Sequence, residues 1–142
     1  MITDGSGIIV SVNPAFSHIS VYNASEAIGQ TPRILKSYRH SQASYTSMSE
    51  NIITQGQWSG EIWNHRKDGD LYLERMTINM VQNEQGRALP YVSVFSDITN
   101  LWHKDEHLKH LAFYDALTDL PNRTLLIERL GQKIAHCERQ QC

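Results

Sequence analysis

Residues 56–81 read GQWSGEIWNHRKDGDLYLERMTINMV, and the fold turns on how this stretch is read. It is too polar for a fully buried strand and too aromatic for a loop. Read with a period of two, it resolves. Trp58, Gly60, Ile62, Asn64 and Arg66 share one face, while Ser59, Glu61, Trp63 and His65 share the other. Lys67-Asp68-Gly69 is a turn, and residues 71–81 form a second, long strand. Two half-buried strands joined by a tight turn predict an antiparallel hairpin.

Working outward, residues 83–86 predict another turn, and PYVSVFSDI (90–98) a third strand. At the other end, MITDGSGIIVSVN predicts a hairpin: a short first strand, a turn over Asp4 to Gly7, and a strand over Ile8 to Val12. Short helices fit between. Asn13 is a suitable N-cap with Pro14 at the first helical position, and Phe16, Ile19 and Val21 or Tyr22 are candidates for the core. Asn23 and Glu26 have capping-box spacing, and Gly29 closes that turn. TPRILKSYRH is irregular. Ser41 predicts the start of a helix that ends at Gly56, with Tyr45, Met48 and Ile52 on one side. The expected class is α+β with an antiparallel sheet. After it, residues 99–114 have helical spacing with Leu101, Leu108 and Leu111 on one seam. A turn covers 115–123, and 124–140 is a second amphipathic helix through Leu126, Leu130 and Ile134.

The chain of 142 residues can build a core, and 40% apolar with 20% charged residues is globular rather than disordered. A formal charge of -2 gives no general attraction to nucleic acid or to an anionic membrane. Cys137 and Cys142 are the only cysteines; two thiols near one end argue against a disulfide framework and fit a reducing, cytoplasmic setting. No apolar run reaches the length of a membrane span, and no signal peptide opens the chain.

ITDGSGIIVSVNPAF, YNASEAIGQTPRIL, QWSGEIWNHRKDGDLYLE and YVSVFSDIT, in that order, resemble a PAS domain, a small sensory fold of bacterial signalling proteins. The resemblance spans residues 1–99 and implies a five-stranded antiparallel sheet, with helices between strands 2 and 3 closing a pocket. The helix that usually precedes the first strand of such domains is missing, from which truncation at Met1 is expected. LAFYDALTDLPNRTLLIERL resembles the opening of a GGDEF domain, the fold of diguanylate cyclases that make cyclic di-GMP. That pattern has glycine where this chain has Asp119, and in it Asp115 and Arg123 fix the opening turn. The expected organisation is therefore a PAS domain over 1–99, a signalling helix over 100–114 and a GGDEF fragment over 115–142. The GGDEF signature and metal-binding carboxylates would lie further on, so no catalysis is expected of this piece.

The strand from Trp58 is the best candidate site. An aromatic and a side-chain amide on one face suit a flat heteroaromatic ring, and Gly60 would let a backbone or planar ligand approach. The pattern resembles flavin-bearing PAS domains, which implies Trp58 and Asn64 as contacts for FAD, with Phe95 beside the ring where light-sensing relatives carry glutamine. Those relatives also need a cysteine that TPRILKSYRH does not supply. Three readings stay open: FAD, an unidentified small ligand, or no ligand with Trp58 as a core plug. For haem only His40 is near the right place, and it reads better as a capping or surface residue. His103, His107 and His110 share a helix face but read as a solvated face, since no further ligand completes a metal site. Glu26 and Lys67 are expected to pair, as in relatives, and to brace the pocket. A homodimer through the sheet and the linker helix is the expected assembly, with no nucleic-acid or membrane contact from this chain. A ligand-free dimerisation module is the alternative function.

Overall fold

The computed structural model describes residues 1–82, 84–85 and 88–140. Strands β1 (Ile2–Thr3), β2 (Ile9–Ser11), β3 (Gln57–His65), β4 (Leu71–Gln82) and β5 (Ala88–Asp97) form one antiparallel sheet in the order β2-β1-β5-β4-β3. Helices α1 (Pro14–Ser20) and α2 (Ala24–Ala27), a 3-10 turn (Pro32–Leu35) and α3 (Gln42–Gln55) lie between β2 and β3. The predicted α+β class and five-stranded sheet are what the chain adopts. The expected turn over 83–86 falls on Asn83 and Gly86, outside the described residues, as does Cys142; Cys137 is exposed.

Local chemistry sets the element ends. The Asp4 carboxylate accepts hydrogen bonds from the Ser6 and Ile8 amides and holds the first turn, with Gly7 at φ 83°. Asn13 caps α1 by accepting from Phe16 N–H, Glu26 accepts from Asn23 N–H in the capping box, and Ser41 caps α3. Gly56 ends α3 at φ 72°, a left-handed position that glycine takes without a Cβ penalty.

The core forms two clusters on the helix-bearing side of the sheet. Ile9, Phe16, Ala27 and Leu35 make one; Ile62, Met76 and Ile78 make the other, covered by Met48 and Ile52 of α3. Phe95 packs against both. The sequence offered Val21 or Tyr22 to this core. Tyr22 packs there, whereas Val21 is exposed and takes φ 66° as the C-cap of α1.

The chain divides into two compact units, Met1–Thr99 and the part from Asn100 onward. The second comprises most of α4 (Thr99–Phe113), a turn, and α5 (Arg123–Gln140). Asp115 holds the turn by accepting from the Leu117 and Thr118 amides and the Thr118 hydroxyl. Asp119 sits there at φ 56°. Leu101, Leu108, Leu111, Leu126, Leu130 and Ile134 are all exposed.

Candidate functional site

The sheet and the helical segment enclose a cavity of about 610 Å³ in the first unit, within the range of small-molecule sites. Its floor is the concave face of the sheet: Ile62 and Asn64 from β3, Glu74, Met76 and Ile78 from β4, and Ser93 from β5. Its far wall is Leu35 with Tyr45 and Met48 of α3, and Arg33 and Lys36 stand among the lining residues on the helical side. Alternation puts the floor residues together. Asn64 pairs with Tyr72, Ile62 with Glu74, and Ile78 with Ser93 across the ladder.

The polar part of the floor is a connected group. Asn64 and Glu74 are buried, the latter 1% exposed, and Tyr72 is fully buried. The Tyr72 hydroxyl donates to Glu74 Oε2 at 3.0 Å, and the Asn64 amide also bonds to Glu74. Burial withholds water from the Glu74 carboxyl and pushes its pKa up to about 7, against an ordinary 4.5. Asp97, directly opposite on β5, pushes the same way, while the bonds from Tyr72 and Asn64 and the amino-terminal charge oppose the shift. Burial also drives the Tyr72 hydroxyl well above its usual range.

Behind this floor lies a second group. Arg66 stacks over the Tyr72 ring at 4.6 Å, donates to the Ile19 carbonyl and pairs with Asp97 at 2.5 Å. Asp97 Oδ1 accepts from the Thr99 amide and hydroxyl, and Thr99 Oγ1 accepts from Leu73 N–H at 2.9 Å. These donors hold the Asp97 carboxyl below its usual range despite its partial burial. An unbroken chain of contacts therefore runs from the cavity floor through Tyr72, Arg66 and Asp97 to Thr99, the first residue of α4.

The residues expected at the site separate. Asn64 is on the cavity floor. Trp58 is not among the lining residues: its indole lies over Gly60, where a Cβ would come within 2.5 Å of Trp58 Cζ2, and packs against the Ile62 cluster. The open space at Gly60 is thus taken by the chain's own tryptophan, not left for a ligand. Phe95 is also off the cavity wall and meets Phe16 edge-on at 6.1 Å. His40 does not line the cavity; its Nε2 accepts the Trp63 amide at 2.8 Å, and Arg39 stacks over the Trp63 ring. Glu26 and Lys67 do pair, on an exposed surface, but neither lines the cavity. His110 pairs with Asp119 at 2.8 Å and stacks on Tyr114, and no cluster of three metal-ligating side chains occurs among the described residues. Glu74 was not singled out from the sequence. The signal was present: a carboxylate on the same alternation phase as Tyr72, Met76 and Ile78 has no apolar reason to be there.

A family model described as a PAS domain matches residues 1–100. A nitrogen fixation regulatory protein of Klebsiella oxytoca is 29% identical over 129 residues, 89% of this chain and 26% of that protein. A blue-light-activated histidine kinase of Brucella ovis is 31% identical over 91 residues, 64% of this chain and 19% of that protein. The chain therefore spans about a quarter or less of the length of these relatives. The crystal structure of a PAS domain from Colwellia psychrerythraea superposes with a TM-score of 0.64 at 24% identity, covering 70% of this chain and 84% of that one, a likeness of fold.

Proposed function

We propose, on the premise that this chain belongs to the PAS domain family, that it senses a small ligand in the cavity on its sheet and relays occupancy to α4. The observation that carries this reading is the continuous polar chain from Asn64 and Glu74 to Thr99. A ligand that shifts the Glu74 carboxyl alters the Tyr72 hydroxyl, on whose ring Arg66 rests. Arg66 holds Asp97, and Asp97 fixes the first turn of α4. A ligand acts on such an element only through contacts that differ between its two positions, and Glu74 and Asn64 on the floor are where they would arise.

FAD is one candidate for the cavity. Asn64 stands where it could meet a ring nitrogen or carbonyl; Trp58 and Phe95 would contact a flavin only after leaving their present packing. Residues 1–99 contain no cysteine, so a cysteinyl adduct of the light-sensing kind is excluded in this domain. The visible spectrum of the purified chain tests the flavin: a yellow species bleached by dithionite supports it, and Trp58→Ala should then lose the chromophore.

The output we propose is a GGDEF cyclase in the parent protein, with this chain itself non-catalytic. The Asp115-held turn supports it, as does the positive φ of Asp119, the position where that family's pattern has glycine. The assembly and location we propose are a homodimer in the cytoplasm. Among the described residues no helix is long and apolar enough to cross a membrane. In the intact protein, Thr99→Ala should uncouple output from ligand. Output that is unchanged by both this substitution and deletion of 1–99 would refute the relay. The packing of Trp58 over Gly60 favours a second reading, a ligand-free dimerisation module, for which Trp58→Ala would lower stability and leave the spectrum featureless.

A further inference from the structure

The floor of the cavity holds a carboxyl with no side-chain cation paired to it. Glu74 is 1% exposed and lines the cavity, yet it takes part in no ion pair among the described residues. Its hydrogen-bond donors, Tyr72 and Asn64, are neutral. The basic side chain behind it is committed elsewhere: Arg66 is bound to Asp97 and the Ile19 carbonyl, with Tyr72 between it and Glu74. Met1 lines the cavity, and its amino-terminal group attracts Glu74 without forming an ion pair with it, its hydrogen bond going to the Ser93 carbonyl at 3.0 Å. Asp97, opposite Glu74, adds repulsion.

The helical side has the opposite character. Lys36 and Arg33 are among the lining residues. Lys36 rests on the Tyr45 ring at 4.2 Å and donates weakly to Gln42, while Arg33 is exposed and in no ion pair among the described residues. Between these poles Leu35, Met48, Ile62, Met76 and Ile78 supply an apolar surface, beside the hydroxyl-bearing Tyr45, Thr46, Ser49 and Ser93.

Resting on the ligand-sensing reading above, we propose that the cavity takes a small organic zwitterion, its protonated nitrogen on Glu74 and Asn64 and its anionic group toward Arg33. A buried carboxyl without an ion-pair partner is costly in its ionised form, and a cationic donor that binds it directly lowers that cost. A plain cation would gain at the floor and be repelled on the helical side. A plain anion would do the reverse. A ligand with both ends, spaced by an apolar body, meets both poles and the apolar surface between them. Binding would also ionise Glu74, and so release a proton below neutrality and alter the Tyr72 contact that leads toward Arg66.

The test is calorimetry on the full chain with three matched probes: 4-(aminomethyl)benzoate, benzylamine and 4-methylbenzoate. The zwitterion should bind tightest. Glu74→Gln should weaken both amines by more than about tenfold, the loss expected when one partner of a buried charge pair goes, and leave 4-methylbenzoate unchanged. Arg33→Ala should weaken both benzoates and spare benzylamine. In the unaltered protein, amine binding at about pH 6 should release protons, read from the dependence of the heat on buffer ionisation enthalpy. Amine binding that is unaffected by Glu74→Gln and releases no proton overturns the inference while leaving a ligand site standing. Failure of all three probes to bind overturns the inference and counts against the ligand-sensing reading as well.

Discussion

Replacing Glu74 by glutamine should stabilise the fold at neutral pH and flatten its dependence on pH. The carboxyl loses its proton near 4.5 in the unfolded chain and at about 7 in the native one. Between those values the native state binds more protons than the unfolded state, so stability is fullest below the lower value and falls as pH rises through the upper one. At about 1.4 kcal/mol per pH unit, the gap amounts to a loss on the order of 3 kcal/mol. Glutamine keeps an oxygen for the Tyr72 hydroxyl, retains the shape and has nothing to ionise. Urea denaturation at a series of pH values from roughly 5 to 8 reads the effect as the difference between the two proteins, which cancels the histidines that titrate in the same window. The difference should be small at the acid end and grow in favour of Glu74→Gln toward the alkaline end. Parallel curves would show that Glu74 does not titrate in this window and that its burial does not raise its proton affinity.

Gly60→Ala places a methyl within 2.5 Å of the Trp58 ring; the indole must shift, at a cost of about 1–3 kcal/mol, read from the denaturant midpoint and from Trp fluorescence. Thr99→Ala removes the acceptor for Leu73 N–H and a donor to Asp97, so it should cost about 1 kcal/mol and speed amide exchange in the first turn of α4. Asp97 has its proton affinity lowered by Thr99 and Arg66; its contribution is present above the ordinary range and lost as pH falls through its native value, so Asp97→Asn should reduce the acid-side slope of stability. Tyr72→Phe deletes the donor that favours ionised Glu74. It should move the Glu74 titration further up, visible by NMR of the carboxyl carbon.

Much of the frame was legible in the chain. Period-two alternation over 57–65 and 71–82, glycine at the turn positions and the Asn13, Asn23 and Ser41 caps all report on neighbours in sequence, and the structure follows them closely. The site was legible only in part. Asn64 was on the right face, but so was Trp58, and the sequence could not tell a ring that lines a cavity from one folded onto its own strand. That distinction depends on Gly60 two residues away, whose missing side chain the indole fills. Phe95 was likewise placed by analogy, and Phe16, 79 positions distant in the chain, is what takes its ring.

Alternation and capping are properties of one strand or one turn, so the sequence by itself determined the strands, the helices between them and which strand residues share a face. The cavity's chemistry was decided by tertiary structure. Glu74 is an ordinary strand residue until the β4–β5 register sets Asp97 opposite it and the α3 segment closes over the sheet. Dielectric and counter-charge are set by every group that comes within a few ångströms, whatever its position in the chain. A carboxyl's proton affinity, and the ligand it would choose, therefore emerge only once the fold is complete.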